Sequence, residues 1–572
     1  MAEDVARAFL ASLDAALTAG DAEAVAALLL PDGHWRDLLA FAWDLTSTSG
    51  REAIAARLRD RLPVTRPRNL HLAADRTPPR RVMRAGQKVV EAFFRFDTAT
   101  GPAEGIVRLR PDADGQWRAW ILLTALDGLH GHGTEAAKPD YARDFGGENW
   151  LDKRNRARAY ADHEPAVVVV GCGQAGLGIA ARLGQFGVDT LVIDREARIG
   201  DNWRNRYHAL TLHNEVHVNH LPYMPFPPTW PVFIPKDRLA SWFEAYAEAM
   251  ELNVWTGTEL TGGRFDGDTW TLDLKRADGS TRQMRPRHVV FATGVSAIPI
   301  RPDLPGLSDF AGTVLHSGSY TDSAVWKGRR AQIVGTGNSA HDVAQDLHAG
   351  GAAVTMIQRS PTYIVSLQEA QRVYTLYTEG LPTADCDLLA TAMPFPVLQD
   401  AYRMATKISR EIDKPLLDKL EAAGFRLDED PDSMGFQMLY LQRGGGYYFN
   451  VGCSDLIAAG EIGLLHYDSI DRFVPEGARL KDGSIVPADL IVLATGYKNQ
   501  QDTARAFLGD AVAERIGPVW GFDDGGELRN MWRPTAQQGL WFTAGSLAQC
   551  RIYSKYLALQ IKAREAGLMP GA

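Results

Sequence analysis

The run Ala-Val-Val-Val-Val-Gly-Cys-Gly-Gln-Ala-Gly at residues 166–176 joins an apolar segment to a Gly-x-Gly-x-x-Gly turn. The apolar segment predicts a buried strand, and the residues after the turn predict a helix through about Phe186. A second apolar strand, Thr190–Ile193, then leads to Asp194. Strand, glycine turn, helix and strand in this order are typical of a dinucleotide-binding unit in a parallel sheet.

Each glycine of this turn has a physical role. Gly171 allows the tight turn, Gly173 lets a pyrophosphate approach the backbone, and Gly176 permits close packing of the helix on the strand. The start of the helix offers free N–H groups and the positive end of its dipole to phosphates. Asp194 is placed to accept hydrogen bonds from ribose hydroxyls. A purely structural glycine-rich turn is the alternative, but strand, helix, spacing and acidic end all favour a nucleotide site.

The same unit occurs a second time. An arginine, Arg359, now stands where the first unit has Asp194. A carboxylate there would repel a ribose 2′-phosphate, whereas an arginine can bind it through two hydrogen bonds. The first unit therefore suits FAD and the second suits NADPH, with a solvated charge at the strand end as the alternative for Arg359. In the second unit the first strand is Ala331–Val334, the helix runs to about His348, and the second strand is Ala353–Ile357. The NADPH-binding candidates are Gly335, Gly337, Asn338, Ser339, Arg359 and Ser360.

Ahead of these units, residues 1–140 read as helices followed by strands. Ala6–Leu30 and Arg51–Leu62 have helical periodicity, and strand-like runs separated by turns follow them. This order predicts an α+β domain. The expected fold class is therefore α/β, with two Rossmann-like domains in a two-dinucleotide flavoprotein architecture after that α+β domain. We expect residues 1–140 to form the α+β domain, 141–165 a linker, 166–325 and 471–572 the FAD-binding domain, and 326–470 the NADPH-binding domain with a helical insertion.

Composition and charge limit the classes of function. The 572 residues carry a formal net charge of -9 and no long basic run, so nucleic acid is a poor candidate for a partner. The N-terminus reads as an amphipathic helix and not as a signal peptide, and no stretch approaches the roughly 20 apolar residues of a membrane span. Four dispersed cysteines form no Cys-x-x-Cys pair, which disfavours a disulfide framework, a thiol redox motif and a zinc site. We expect a cytoplasmic protein that binds neither metal nor membrane.

Several further motifs point to one family. The segment from Phe310 through Gly312 and His316 to Tyr320 resembles the F-x-G-x-x-x-H-x-x-x-(Y/F/W) signature of flavin-containing and Baeyer–Villiger monooxygenases. The resemblance covers the chain from Ala166 to about Ala566. The other segments similar to the family's motifs are Gly200-Asp201-Asn202-Trp203 (G-G-T-W, with Asp201 replacing a glycine), Ala292-Thr293-Gly294, Ala494-Thr495-Gly496-Tyr497 (A-T-G-Y), and the YUCCA-like run Leu221-Pro222-Tyr223-Met224-Pro225-Phe226-Pro227.

The resemblance implies a monooxygenase. In that family NADPH reduces FAD, O2 adds at flavin C4a, and the hydroperoxide gives one oxygen atom to a small-molecule substrate. Tyr320-Thr321, where many Baeyer–Villiger enzymes carry Trp-Pro or Trp-Asp, favours N- or S-oxygenation or oxidative decarboxylation of a 2-oxo acid. Baeyer–Villiger oxidation of ketones to esters and an NADPH oxidase that produces H2O2 are the alternatives. Residues 362–440 exceed what compact members carry, and we expect them to shape substrate access.

The resemblance also assigns candidate residues. Asn214 falls close to the family's flavin-adjacent asparagine, and His316 lies in its signature, with a packed inter-domain strand as the alternative. Arg443 falls near the arginine with which Baeyer–Villiger enzymes favour a peroxide anion, with a surface or nucleotide contact as the alternative. These three are the catalytic candidates. The FAD-binding candidates are Gly171, Gly173, Gly176, Asp194, Trp203, His213, Thr495 and Gly496.

The N-terminal region has a resemblance of its own. The run His34-Trp35-Arg36-Asp37, together with the later strands, resembles the cone-shaped SnoaL-like or limonene-epoxide-hydrolase-like fold. Such domains can be enzymes or dimerisation modules, so the resemblance predicts a binding or assembly role and a possible homodimer through this domain.

Overall fold

The structure is a computed structural model that describes residues 2–133, 145–430 and 432–569. The predicted boundary between the first domain and the linker, at residue 140, lies outside the described residues, and so do residues 141–144 of the predicted linker. Along the described chain an α+β unit is followed by two units built on parallel sheets.

The N-terminal unit consists of three helices and one mixed sheet. Its strands lie in the order β2-β1-β7-β6-β5-β3, with β4 also paired to β5. The pair β1 and β7 is parallel, and the other strand pairs of this sheet are antiparallel. The helices are α1 (Ala2–Thr18), α2 (Ala22–Ala27) and α3 (Arg51–Thr65), and the strands are β1 (Leu29–Leu38), β2 (Leu45–Ser49), β3 (Arg68–Leu72), β4 (Arg80–Arg84), β5 (Gln87–Asp97), β6 (Pro102–Pro111) and β7 (Trp117–Leu126).

Both faces of this sheet are buried. Successive side chains of a strand point to opposite faces, so adjacent residues belong to different cores. Phe94 and Val107 pack in the cluster formed with α1, α2 and α3. Their neighbours Phe93 and Ile106 belong instead to the main core of the protein, which they share with the strand at Val167–Val170. The N-terminal unit is therefore packed onto the rest of the chain through a sheet face.

The first parallel unit follows a short helix, α4 (Trp150–Ala159), which lies within the predicted linker. Asn149 and Asp152 cap its start reciprocally. Each side chain accepts a hydrogen bond from the other residue's backbone N–H. The elements of the first unit are β8 (Val167–Val170), α5 (Gln174–Gln185), β9 (Thr190–Ile193), α6 (Asp201–Arg204), β10 (Thr211–Glu215), β11 (Phe233–Pro235), α7 (Lys236–Ala249), β12 (Asn253–Trp255), β13 (Thr258–Phe265), β14 (Trp270–Arg276), β15 (Thr281–Met284) and β16 (His288–Phe291).

The second parallel unit contains the long insertion, and the chain then returns to the first unit. The second unit consists of β17 (Thr313–His316), β18 (Arg330–Val334), α8 (Asn338–Ala349), β19 (Ala353–Gln358), β20 (Tyr363–Ser366), α9 (Leu367–Ala370), α10 (Thr383–Thr391), α11 (Phe395–Ala422), α12 (Gly435–Arg443), β21 (Tyr447–Asn450), α13 (Cys453–Ala458), β22 (Gly463–His466), β23 (Ile470–Val474), β24 (Gly477–Leu480), β25 (Ile485–Pro487) and β26 (Leu490–Leu493). The returning elements are α14 (Gln500–Leu508), α15 (Asp510–Ile516), β27 (Leu540–Phe542) and α16 (Leu547–Glu565).

The two parallel sheets share the spatial order of four strands, and they differ in the fifth, which comes last in the chain in the first sheet (β27) and first in the second (β17). The first has the order β12-β9-β8-β16-β27, and the second, taken in the same direction, has the order β22-β19-β18-β26-β17. In each unit a three-stranded antiparallel sheet, β13–β15 or β23–β25, comes directly before β16 or β26. The strand that carries the glycine turn, β8 or β18, lies in the middle of its sheet, as the fold class predicted from the two glycine turns requires.

Two strands correct the domain boundaries expected from the sequence. Thr313–His316 and Leu490–Leu493 pair with each other in the second sheet. Boundaries at 325/326 and 470/471 assign both strands to the first domain instead. The error has a physical cause: sheet membership depends on pairing between strands 177 positions apart (313 against 490), which a local pattern does not record.

Candidate functional site

The two glycine turns have the same backbone geometry. Gly171 and Gly335 have φ angles of +109° and +123°, in the region that favours glycine. A Cβ atom on Gly171 would stand 2.6 Å from the carbonyl oxygen of Ala292, and one on Gly335 would stand 2.5 Å from that of Ala494. Each alanine begins one of the two Ala-Thr-Gly segments. The first glycine is thus required because a neighbouring backbone passes directly against the turn.

The remaining turn residues open each helix toward the strand ends. Gly173 and Gly337 are the N-caps of α5 and α8, and neither cap has a side chain over the free N–H groups. A Cβ atom on Gly176 would collide with the carbonyl group of Gly171. In the second unit the equivalent residue is the fully buried Ala340. Both helix starts therefore keep their N–H groups and dipole available for a phosphate.

The residues that follow the second strand of each unit differ in charge. The carboxylate of Asp194 accepts hydrogen bonds from the N–H groups of Cys172 and Glu196, at 2.6 and 2.8 Å, which fixes it at the rim of the first turn. Arg359 is exposed, and within the described part of the chain no hydrogen bond or ion pair holds its guanidinium. Ser360 is exposed beside it. The second turn therefore has a cation that is free to bind an anion.

Trp203 lies next to the first turn. Its indole N–H donates to the side-chain oxygen of Gln174, the first residue of α5, at 3.3 Å. The amide nitrogen of Gln174 donates in turn to the carbonyl oxygen of Gly545 at 3.1 Å. Gly545 precedes α16, so the first turn, Trp203 and the start of α16 form one connected wall.

Asn214 and His213 lie on β10, between the two turns. The hydroxyl of Tyr374 is hydrogen-bonded to the side chains of Asn214 and Gln437, and burial raises the pKa of Tyr374. The His213 ring lies 3.8 Å from a carboxylate oxygen of Asp342 on α8. His213, which the resemblance predicts to bind FAD, therefore faces the second unit.

Asp342 is a half-buried carboxylate that no motif in the sequence marks. Its carboxylate also accepts a hydrogen bond from the hydroxyl of Tyr207, and burial raises the pKa of Asp342. The nearby Arg206 has a buried Nε atom without a hydrogen-bond partner, and no ion pair within the described residues holds it. An arginine without a partner beside the second turn is suited to a phosphate. No sequence signal marks it, because it stands in a loop without a motif.

His316 is completely buried and held by backbone groups on both sides of its ring. Nδ1 accepts the N–H of Gly318 at 3.1 Å, so Nε2 carries the proton and faces the carbonyl oxygen of Gly496 at 3.2 Å. Burial lowers the pKa of His316, which keeps the ring neutral near pH 7. The hydroxyl of Thr495 donates to the carbonyl oxygen of Ile300 at 2.6 Å. These contacts of His316, Thr495 and Gly496 thus fix the second Ala-Thr-Gly segment to the end of β17 and to the loop at Ile300.

The second turn has one further fixed side chain. The amide oxygen of Asn338 accepts the N–H of Phe449 on β21 at 3.0 Å. Asn338 therefore ties the start of α8 to the edge of the insertion, and Ser339 follows it, half-buried, in the first turn of the helix.

Arg443 does not lie with the other catalytic candidates. It ends α12, is exposed, and lines a polar cavity of about 370 Å³ together with Ser360 and the carboxylates Asp428, Asp430 and Asp432. It lines neither turn. Of the three catalytic candidates, Arg443 is the one that lines this separate cavity.

A second cavity, of about 430 Å³, lies beside the first turn, and we call it the chamber. Ser546 and Gln549, at the start of α16, line it, and so does Tyr374, which is bonded to Asn214. Much of the remaining lining is apolar or aromatic and includes Phe395, Leu398, Tyr402, Phe522, Trp532 and Ile552. A volume of 300–1,000 Å³ is typical of small-molecule sites, so the chamber can hold a small organic substrate.

Comparisons with known proteins place this geometry in a family. A family model described as pyridine nucleotide-disulphide oxidoreductase matches residues 168–378. The indole-3-pyruvate monooxygenase YUCCA1 of Oryza sativa subsp. japonica is 30% identical over 338 residues, which are 59% of this chain and 77% of that protein. The chain belongs to the flavin-containing monooxygenase family. This flavin-containing monooxygenase is therefore an oxidoreductase. The probable indole-3-pyruvate monooxygenase YUCCA4 of Arabidopsis thaliana is 27% identical over 336 residues, 59% of this chain and 76% of that protein.

Solved structures agree with the fold of this flavin-containing monooxygenase. Cyclohexanone monooxygenase with bound epsilon-caprolactone matches with a TM-score of 0.52 and 17% identity, over 70% of this chain and 88% of that one. The enzyme OTEMO in complex with FAD and NADP matches with a TM-score of 0.51 and 16% identity, over 70% and 86% of the two chains. Within the described residues, no helix has the length and apolar character that a membrane crossing needs.

Proposed function

We propose that this chain uses FAD and NADPH to transfer one oxygen atom of O2 to a small organic substrate, by N- or S-oxygenation. One observation carries the proposal: the same glycine turn is built twice, and the residue that follows the second strand of the unit is a fixed carboxylate, Asp194, in one case and an arginine without a partner among the described residues, Arg359, in the other. A carboxylate accepts hydrogen bonds from ribose hydroxyls, and a free guanidinium binds a 2′-phosphate.

The residues present fit both nucleotides. In the proposed arrangement the open helix start at Gly173 binds the FAD pyrophosphate, Asp194 binds its ribose, and Trp203 lies against the same turn. The helix start at Gly337 binds the NADPH pyrophosphate, with Arg359 and Ser360 at the 2′-phosphate. The free guanidinium of Arg206 supplies a further positive charge near the second turn. OTEMO, which contains FAD and NADP, supports this assignment through its similar fold.

Bound FAD, once reduced by NADPH, supplies the chemistry that activates O2. The side chains of the chamber position the substrate and exclude water, which is needed because loss of peroxide competes with oxygen transfer. We assign Asn214 to a hydrogen bond at the flavin, because Tyr374 holds its side chain at the border of the chamber. His316 acts as a neutral positioning residue that orients the carbonyl group of Gly496 and does not transfer a proton.

Two sequence-derived alternatives make different demands on the site. A Baeyer–Villiger role for Arg443 requires the arginine to reach the chamber, and its place on the other cavity gives that role no support. An NADPH oxidase requires only the two nucleotides, so it leaves the chamber unexplained. The plant relatives are named for indole-3-pyruvate, an anionic 2-oxo acid, and such a substrate remains a candidate for direct assay.

The proposed function is tested by the ratio of oxygenated product and of H2O2 to the NADPH consumed. The purified chain, loaded with FAD, is mixed with NADPH, O2 and a panel of amines, sulfides, ketones and 2-oxo acids, and NADPH consumption, product and H2O2 are quantified together. The proposal expects a yellow protein that forms one oxygenated product per NADPH with at least one amine or sulfide. A protein that stays colourless after FAD supplementation refutes it. Stoichiometric H2O2 with every compound identifies an oxidase.

The N-terminal unit carries a separate proposal. We keep its assignment as a SnoaL-like domain, and a homodimer through it, as predictions. Because the central strands β5, β6 and β7 are covered on both faces, a partner would contact the exposed parts of α1, α2 and α3 or of the outer strands β3 and β4. Light scattering of the full chain tests for the homodimer.

A further inference from the structure

The chamber is not built by the flavoprotein units alone. Six residues of the N-terminal unit line it: Arg36, Leu45, Met83, Arg84, Ala85 and Arg108. They come from β1, β2, the β4–β5 hairpin and β6, and they face the insertion and the residues before α16. The N-terminal unit therefore closes one side of the cavity that the proposed function assigns to the substrate.

Ion pairs between distant parts of the chain fix this wall in place. The guanidinium of Arg36 donates to both carboxylate oxygens of Glu527, at 2.9 and 2.7 Å, and to the carbonyl oxygen of Thr391 at 2.7 Å. Both charged side chains of that pair are buried. Lys555 of α16 bonds Glu104 and Asp127 of the N-terminal sheet, at 2.8 and 2.5 Å. The wall is thus held by the same helix that starts at the first turn.

The tip of the β4–β5 hairpin touches the insertion directly. Gly86 has a φ of +75°, and a Cβ atom there would stand 2.9 Å from the terminal methyl carbon of Met404 on α11. Ala85 beside it lines the chamber and has a φ of +44°. The hairpin therefore makes a tight turn that fits against α11 and forms part of the cavity wall.

The N-terminal unit has almost no space for a ligand within its own core. The cavity among Leu13, Trp35, Phe94 and Thr124 has a volume of about 10 Å³, which is room for about one water molecule. A catalytic role inside this unit therefore lacks a substrate site. Its contribution to ligand binding lies on the face that it turns to the chamber.

Each charged side chain of the chamber wall has a partner of opposite charge within the protein. Four arginines and one glutamate line it. Arg36 pairs with Glu527. Arg84 and Arg108 bond Glu91, and Arg84 also bonds Glu379. Arg372 bonds Glu369 at 2.9 and 2.8 Å. Arg80, which does not line the chamber, shares the same two glutamates, Glu91 and Glu379. No lining arginine is left without a carboxylate partner.

Five tyrosines are among the uncharged polar residues of the lining. No hydrogen bond within the described residues holds the hydroxyl of Tyr402, which faces the chamber beside Tyr374. Burial raises the pKa of Tyr402, so the group stays a neutral donor. A carboxylate brought into such a space loses its hydration without gaining a free cation, whereas a ketone or thioether accepts one hydrogen bond at little cost.

We infer that the N-terminal unit is a wall of the substrate chamber, and that the chamber takes an uncharged, largely apolar molecule with a hydrogen-bond acceptor. That the bound molecule is a substrate rests on the proposed function, whereas the binding of such a molecule in the chamber does not. The same inference also disfavours a 2-oxo acid, for which the wall has no free cation.

Cysteine footprinting tests the wall in the full chain loaded with FAD and NADP⁺. The four native cysteines are buried, and burial raises their pKa values, so they react slowly with maleimide. Met83→Cys places a thiol at a position that is 53% exposed at the chamber, and Val64→Cys is the matched control on α3, 72% exposed and away from it. Labelling by N-ethylmaleimide is followed by mass spectrometry with and without phenylacetone.

Phenylacetone and phenylpyruvate form the second arm, because they differ only in a methyl group against a carboxylate. We expect saturating phenylacetone to slow labelling at position 83 by about fivefold or more and to leave position 64 unchanged. We expect calorimetry to show phenylpyruvate binding at least about tenfold more weakly. Equal labelling at position 83 with and without phenylacetone contradicts the inference that the N-terminal unit forms a wall of the substrate chamber. Equal or tighter binding of phenylpyruvate overturns the uncharged class.

Neither readout needs turnover, so the two failures can be told apart. A chain that protects position 83 but forms no product with any substrate contradicts the proposed function and leaves the chamber wall standing. A chain that oxygenates an amine or sulfide while position 83 stays fully reactive contradicts the inference about the chamber wall and supports the proposed monooxygenase function.

Discussion

Replacing Arg359 with alanine removes a guanidinium that has no protein partner within the described residues, so the change disturbs no ion pair. Hydrogen bonds that involve a charged group contribute about 1.5–3 kcal/mol. Arg359 is exposed, and solvent screening favours the lower end of that range. Because about 1.4 kcal/mol corresponds to a tenfold change, we expect the KM for NADPH to rise by about tenfold, with about 150-fold as the upper bound.

The assay compares the two coenzymes. Initial rates of NADPH and NADH oxidation are measured for the wild type, for Arg359→Ala and for the control Arg403→Ala, an arginine on the surface of α11 that pairs with Asp400. NADH lacks the 2′-phosphate, so its KM should change by less than about twofold in Arg359→Ala. The control should affect neither coenzyme. A KM that rises equally for NADPH and NADH would show that the 2′-phosphate binds elsewhere, and the assignment of the second turn to NADPH would lose its basis.

Three further predictions follow from the packing. Gly171→Ala places a Cβ atom 2.6 Å from the Ala292 carbonyl oxygen, so the variant should lack bound FAD. Gly335→Ala places a Cβ atom 2.5 Å from the Ala494 carbonyl oxygen, so that variant should stay yellow but lose NADPH binding. Absorbance and coenzyme titration distinguish these results from a loss of both nucleotides in each variant. Burial lowers the pKa of His341 to about 4, against about 6.5 in the unfolded chain, so stability is fully present above pH 6.5 and falls by about 3 kcal/mol as the pH drops to 4. His341→Phe, which keeps the stack on Tyr448, should flatten that part of the denaturation profile, and an unchanged slope would contradict the assignment. Arg36→Met leaves Glu527 buried without its cation and should destabilise the protein by about 3–5 kcal/mol, most of which the double variant with Glu527→Gln should recover; a single variant as stable as the double one would refute this reasoning.

The nucleotide turns could be predicted because their chemistry is local. Gly171, Gly173 and Gly176 lie within six positions, and Gly171 and Gly176 are each required because a Cβ atom there would collide with a neighbouring backbone carbonyl group. Asp194 and Arg359 could be compared because each follows the second strand of its unit. The two-unit α/β fold was therefore predictable from the sequence, and the comparisons confirm it.

The chamber could not be predicted, because it is assembled from parts far apart in the chain. Arg36 and Glu527 are 491 positions apart, and nothing near either residue indicates the other. Asp342 and Arg206 were missed for the same reason, since one lies on a helix and one in a loop without a motif. Arg443 was assigned by similarity of position, and the fold carries α12 to a different cavity. The positions of these residues depend on long-range packing, and the local periodicity of the sequence carries no information about such packing.

Helix α16 gives the molecule a mechanical connection. It runs for 19 residues, about 28 Å at the usual rise. Gln174 holds the Gly545 carbonyl group just before the helix starts, Arg551 bonds Asp387, and Lys555, near the middle of the helix, bonds the N-terminal unit. A displacement of the N-terminal unit at Lys555 is transmitted to the start of the helix, because about 12 Å of continuous helix joins the two points. Loosening the N-terminal unit at Glu104 or Asp127 would shift the start of the helix, and a change far from the flavin turn would then be felt at that turn.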